Sequence, residues 1–220
     1  MLGLPSKTEV NRKVPKQRFY DHMELPVAVR RMFIDQVDSI YWRNKIAADT
    51  INIAKGKDVV EIEVFEVTVT NKETNEKLLS VIDKALPYHV LFVLTLGDAM
   101  QVWMSYKEPS EGTNAFKVNR YFHTGWIHKD SITINLHGLD MDAVYGNLVR
   151  QVAGGQLNGW ETLSLKESVD RFEQKQKLMY DIEKLQQKIN TEKQINRQLE
   201  MMSTLKEMKR QLEEIQLWIK

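Results

Sequence analysis

The sequence predicts an α/β (α+β) fold: a mixed-sheet globular head with flanking helices, followed by a long C-terminal coiled-coil helix. Runs of β-branched residues alternate with amphipathic helical patterns over residues 1–153. Residues 163–220 contain no Gly and no Pro, and an apolar residue recurs at every third or fourth position. We therefore expect a head at 1–153 with a basic N-terminal arm, a linker at 154–162, and a coiled-coil helix at 163–220.

The composition limits the classes of partner and site. The net charge of +1 provides no overall attraction to nucleic acid or to an anionic membrane, so such binding would require a local patch. The absence of cysteine excludes disulfides and thiolate metal sites. The longest apolar run, residues 90–96, is far shorter than the ~20 residues of a membrane-spanning helix. We expect a cytoplasmic protein with no membrane partner.

The N-terminal arm, residues 1–24, is polar and basic. Its prolines favour an extended segment lying on the domain rather than a helix. A cationic arm of this kind is suited to contacting phosphates, although interspersed acidic residues also fit a solvated leader. The candidate nucleic-acid-binding residues are Arg12, Lys13, Lys16 and Arg18.

The first half of the head contains one helix and three strands in this interpretation. A helix is predicted over 25–37, because its proline lies in the first turn and one face is apolar. Strands are predicted over 39–46 and 50–54. The clearest strand runs over 58–70, where β-branched residues alternate with glutamates. The alternation places Glu61 and Glu63 on the solvent side.

The second half of the head is predicted to continue the sheet. A continuous apolar run at 89–96 is typical of a strand buried on both faces, and Gly97-Asp98 turns it into a hairpin partner. Asp140 is the expected N-cap of a helix. The remaining predicted elements are helices over 76–85 and 141–152, a strand over 100–106, a loop over 107–119, and strands over 120–126 and 131–136.

The tail has a heptad-like apolar seam in two blocks. Between the blocks, residues 190–198 are polar except for Ile195, and the two registers are out of phase. This break fits either a stammer in one continuous helix of roughly 85 Å or a turn between two helices; the lack of Gly and Pro favours one helix. Such a seam predicts a homo-oligomer or docking to a partner through 163–220. The seam residues are Ile182, Leu185, Ile189, Leu205, Met208, Leu212, Ile215 and Ile219.

The sequence contains no recognised catalytic motif. A phosphate-binding loop, a nucleophile elbow and the His-Glu-x-x-His zinc motif are all missing, so we predict no catalytic residue, metal ligand or cofactor. The alternative is a divergent metal-dependent nuclease of restriction-endonuclease-like type, using Glu61, Glu63 or Asp98 with Lys107. The Asp/Glu-x-Lys signature of such enzymes occurs only in the tail, for example at residues 173–175.

Several blocks carry a family resemblance. They are residues 2–10, 14–16, 19–20, 121–126, 136–145 and 148–151. Together they resemble a bacterial family of proteins of unknown function. The resemblance implies a context, because members are often encoded beside a helicase and a DNA methyltransferase in loci that look like restriction or phage-defence systems. It therefore suggests a non-enzymatic accessory or scaffolding subunit, with a helicase or methyltransferase and DNA as candidate partners, and it implies no functional residues.

Overall fold

The computed structural model describes residues 2–19, 21, 24–73, 76–110, 116–157, 160 and 163–217. The chain divides into two compact units, Met1–Ala153 and Gly154–Lys220. None of the described helices is long and apolar enough to cross a membrane.

The first unit is built on one seven-stranded sheet. Its strands are β1 (Glu9–Val14), β2 (Val37–Ala47), β3 (Glu61–Val69), β4 (His89–Leu96), β5 (Ala99–Pro109), β6 (Phe116–His123) and β7 (Ile127–His128). The order is β1-β2-β3-β4-β5-β6, and β7 pairs with β5. All pairs are antiparallel except β3 and β4, which are parallel. The mixed sheet confirms the predicted α/β class.

Helices cover the sheet. They are α1 (Val27–Gln36), α2 (Ala48–Ile51), α3 (Glu76–Lys84) and α4 (Met141–Ala153). The parallel β3–β4 pair needs a crossover connection, and α3 provides it. One core joins Phe33 of α1 and Leu79 of α3 to Phe65 and Phe92, which pair on adjacent strands. The predicted helices at 25–37, 76–85 and 141–152 are confirmed within one or two residues at each end.

Three local predictions for the head are wrong. Residues 50–54 do not form a strand, because Thr50 Oγ1 accepts a hydrogen bond from the backbone N–H of Ala47 (2.9 Å) and helps begin α2. Residues 131–136 are irregular. The predicted loop at 107–119 is partly strand, since β5 continues to Pro109 and β6 begins at Phe116; residues 111–115 of that loop lie outside the described residues.

Glu61 and Glu63 of β3 are buried rather than solvent-facing, so that prediction is also wrong. Glu61, Glu63 and Glu66 are 7%, 4% and 7% exposed. The reason is that both faces of β3 are covered, since residues 61–67 are buried whichever face they point to. Ion pairs compensate two of these carboxylates: Lys45 Nζ lies 2.6 Å from Glu61 Oε2, and Arg43 Nε lies 2.7 Å from Glu66 Oε2.

The second unit is an antiparallel helical hairpin of α5 (Leu165–Thr191) and α6 (Ile195–Leu217). A single groove is lined by Arg171 and Leu178 of α5 and by Gln211 and Ile215 of α6, so the start of α5 lies beside the end of α6. The predicted single continuous helix is therefore wrong. Part of the predicted linker, residues 158–159 and 161–162, lies outside the described residues.

The break between the two helices forms without Gly or Pro. The backbone of Glu192 leaves the helical region, with φ −71° and ψ 130°. Its Oε1 accepts hydrogen bonds from the backbone N–H groups of Lys193 (2.8 Å) and Gln194 (2.9 Å). This carboxylate satisfies donors that helical hydrogen bonds would otherwise use.

Candidate functional site: a buried ionic cluster and a helical hairpin

The head contains a buried ion pair between α3 and β5. Lys107 Nζ lies 2.6 Å from Asp83 Oδ1, and the two side chains are 4% and 0% exposed. The same ammonium donates to the backbone O of Tyr88 (2.8 Å), while Tyr121 OH of β6 donates to Asp83 Oδ2 (2.8 Å). Burial and the adjacent Asp83 charge raise the pKa of Tyr121. Because each charge is compensated, this network fixes α3 on the sheet.

A second group of buried charges lies on β2 and β3. Glu63 is buried beside Glu61, and its Oε2 has no hydrogen-bond partner within the described part of the chain. Burial, together with the neighbouring Glu61 carboxylate, raises the pKa of Glu63 to about 8. The Glu61 carboxylate in turn raises the pKa of Lys45. Glu63 therefore carries a proton at neutral pH, which removes one of two adjacent negative charges.

The two groups share one end of one face of the sheet. Glu63 lies opposite Val90 on β4, and Lys107 Nζ reaches the carbonyl of Tyr88, one residue before β4. β3 and β5 are two strands apart, so their backbones are separated by about 10 Å. Among the described residues, Lys107 forms its ion pair with Asp83 and not with Glu61 or Glu63.

The residues of the nuclease hypothesis are only partly brought together. Asp98 lies in the turn after β4, at the opposite end of the sheet from Glu63, and pairs with Lys129 at 2.6 Å. No three His, Asp or Glu side chains in the described ranges are placed to hold a metal ion.

The resemblance block at 136–145 has a structural role that the sequence pattern did not reveal. Asp140 caps α4, as expected, by accepting from the N–H of Ala143 (2.8 Å). The carboxylate of Asp142 accepts from the N–H groups of Lys57 (2.6 Å) and Val59 (2.7 Å). The block therefore ties the start of α4 to the segment before β3.

Tyr145, at the end of the same block, ties α4 to β5. Its hydroxyl accepts from the N–H of Lys107 (2.8 Å) and donates to the O of Ser105 (2.9 Å). The ring also lies 4.3 Å from that of His89. Burial and the nearby Lys107 charge lower the pKa of His89 to about 3, so this histidine is neutral at physiological pH.

The four candidate nucleic-acid-binding residues do not converge on one surface. Lys16 Nζ donates to the backbone O of Phe33 and Ile34 (both 3.3 Å) and of Val37 (2.7 Å), so it caps the C-terminus of α1. Arg12 and Lys13 are consecutive residues of the edge strand β1 and point to opposite faces. Arg18 is exposed on the segment before α1.

The hairpin places the α6 block of the predicted seam beside α5, where Ile215 lies next to Arg171 and Leu178, N-terminal to the 182–189 block. Ile182 and Ile189 of α5 are 8% and 7% exposed. The other described seam residues remain partly exposed; they are Leu185, Leu205, Met208, Leu212 and Ile215. Ile219 lies outside the described residues. The two helices of the hairpin therefore cover part of the seam, and the remaining seam residues stay partly exposed.

A second apolar line runs along α6 beside the seam. Ile195, Leu199 and Met202 are spaced four and three residues apart and are 72%, 59% and 52% exposed. We call these three residues the outer line. Together with the seam, the outer line makes the apolar face of α6 wider than the part that α5 covers. An apolar face of this width is typical of a helix that packs against two neighbouring helices.

These features define a mixed-sheet α/β head, with its ionic groups buried in the core, joined to an antiparallel helical hairpin with an incompletely covered apolar surface. The chain belongs to the family described as Domain of unknown function (DUF4391), whose model matches residues 2–212. The match extends over both units and confirms the resemblance to an uncharacterised family. No curated protein and no solved structure matches the chain.

Proposed function

We propose that this protein is a non-enzymatic accessory or scaffolding subunit of a bacterial DNA restriction or phage-defence system, and that it assembles through its helical hairpin. The observation that carries the proposal is the partly open seam together with the exposed outer line of Ile195, Leu199 and Met202. The restriction or defence context rests on the family resemblance, as do a helicase or methyltransferase partner and DNA.

The occupant of the open surface is a second copy of the chain. Burying a Leu, Ile or Met side chain stabilises by roughly 1.5–3 kcal/mol, so leaving several of them uncovered is unfavourable. A second hairpin supplies the two helices that complete a four-helix bundle. A two-fold arrangement also covers the same surface on both copies at once. This proposal keeps the predicted seam as the core of the assembly and adds the outer line as the contact between copies.

Light scattering on the full chain, coupled to size exclusion, tests the proposal. We expect the mass of a dimer or higher oligomer, and a shift to monomer in the double variant Leu199→Gln/Met202→Gln. Leu139→Gln is the matched control, because this leucine is 90% exposed but lies in the head. A monomeric wild-type protein would overturn the proposal, as would a double variant that keeps its oligomeric mass.

A metal-dependent nuclease of restriction-endonuclease-like type is the alternative. The observation in its favour is that Glu61, Glu63 and Lys107 lie at one end of one sheet face. Against it, the Lys107 ammonium is bound to Asp83, and Asp98 is distant. Cleavage of plasmid DNA in the presence of Mg²⁺, lost in Glu63→Ala, would favour this alternative; intact plasmid after incubation with the wild-type protein would refute it.

A further inference from the structure

The turn of the hairpin carries a basic groove that the proposed function does not use. Lys188, Lys193 and Arg197 line a groove of about 530 Å³, together with Glu192 and the polar residues around the turn. Lys184 lies one helical turn before Lys188, on the same side of α5. All four cations are exposed, and none makes an ion pair within the described residues. We call these four residues the tip cations.

The charge is concentrated at the tip. Residues 184–197 contain the four tip cations and one acidic residue, whereas 165–183 and 198–217 each contain one more acidic than basic residue. The single acid, Glu192, is already bound to two backbone N–H groups. The tip of the hairpin is therefore a strongly positive local patch, although the total charge of the chain is nearly balanced.

We propose that the tip cations bind the phosphate backbone of a nucleic acid. Phosphate binding needs clustered cations with room for an anion between them, and the groove provides both. An acidic protein partner fits less well, because protein interfaces depend on buried apolar anchors. The apolar residue lining the groove, Met201, is only partly exposed between the helices.

The groove and the outer line face different directions. Arg197 is two residues from both Ile195 and Leu199, which places it about 160° around α6 from each of them. A second copy packed on the outer line therefore leaves the groove accessible. Arg197 therefore does not contribute to the outer line, so variants of the groove and of the outer line test different surfaces.

Fluorescence anisotropy of a labelled DNA duplex at low salt, measured on the full chain, tests this proposal. We expect Lys188→Gln/Arg197→Gln to weaken binding roughly tenfold and to lower the slope of log affinity against log salt by about 1.8, since each phosphate contact contributes about 0.9. The matched control is Lys206→Gln/Lys209→Gln, which removes the same charge from exposed positions of α6 outside the groove. We expect the control to change affinity by less than about twofold.

Lys193→Gln provides a second variant outside both helices, and we expect it to weaken binding without changing the circular dichroism of the hairpin. The proposal is overturned if the wild-type protein does not bind the duplex at low salt, or if the control pair weakens binding as much as the groove pair. It is also overturned if a labelled acidic peptide binds as tightly as DNA. Loss of binding in Arg12→Gln/Lys13→Gln, with the groove variants unaffected, would locate the site on the N-terminal arm instead.

Discussion

Glu63 provides a quantitative test of the buried ionic groups in the head. Its pKa is raised from 4.5 to about 8, chiefly by burial and then by the carboxylate of Glu61. Between these two values the folded protein keeps the proton that the unfolded chain loses. The free energy of unfolding therefore falls as pH rises through this window, and the full penalty is present above about pH 8. The rise of the Glu63 pKa from 4.5 to about 8 corresponds to on the order of 5 kcal/mol.

The variant Glu63→Gln isolates this effect, because glutamine resembles the protonated side chain in size and does not titrate. We expect the free energy of unfolding of the variant not to show the fall with rising pH that Glu63 causes in the wild type. The variant should therefore be more stable than the wild type under alkaline conditions. Urea unfolding followed by tryptophan fluorescence, repeated from mildly acidic to alkaline pH, measures the difference.

Glu73→Gln is the control for the Glu63 experiment, because Glu73 is exposed in the segment before α3. Its stability profile should follow that of the wild type. If the profiles of wild type and Glu63→Gln remain parallel across the whole pH range, the carboxyl of Glu63 is not held protonated by its surroundings, and the reasoning fails.

Three further substitutions probe the contacts that fix α3 and α4. Lys107→Met leaves the charge of Asp83 buried and unpaired, so we expect the free energy of unfolding in urea to fall by about 3–5 kcal/mol. The double variant Asp83→Leu/Lys107→Met should recover part of that loss. Equal losses in the two variants would contradict this prediction. Tyr145→Phe removes two hydrogen bonds between α4 and β5 and should cost about 1–3 kcal/mol in the same assay. Asp142→Ala should speed hydrogen exchange at the amides of Lys57 and Val59, and unchanged exchange there would refute the assigned role.

Local patterns predicted the principal strands and helices of the head because burial there follows the sequence period. The apolar run of β4 and the capped start of α4 at Asp140 are examples. The same reasoning failed at Glu61 and Glu63, since alternation with glutamates normally marks a solvent face. These carboxylates are buried because partners from β2 or a bound proton neutralise them, and no local window of sequence contains that information.

The buried ion pair of Asp83 and Lys107 could not be predicted for a related reason. The two residues are 24 positions apart, on α3 and β5, and meet only after the sheet has formed. The role of Asp142 is similarly non-local, because it binds N–H groups 83 to 85 residues earlier in the chain. The sequence indicated the N-cap at Asp140 but not this second contact by Asp142.

The hairpin was partly visible in the sequence. The two blocks of the seam are out of phase, which fits a fold-back between two helices as well as a stammer in one continuous helix. The absence of Gly and Pro favoured the wrong alternative, because the turn depends on the carboxylate of Glu192 rather than on a conventional helix breaker.

The proposal that the hairpin assembles copies of the chain is tested most directly by the molar mass of the 220-residue chain in solution. Light scattering across a range of protein concentrations should give at least twice the mass of one chain, and Leu199→Gln/Met202→Gln should reduce it to a single chain. One chain's mass for the wild type at every concentration would contradict the account, and would leave the seam as an internal contact of a monomer.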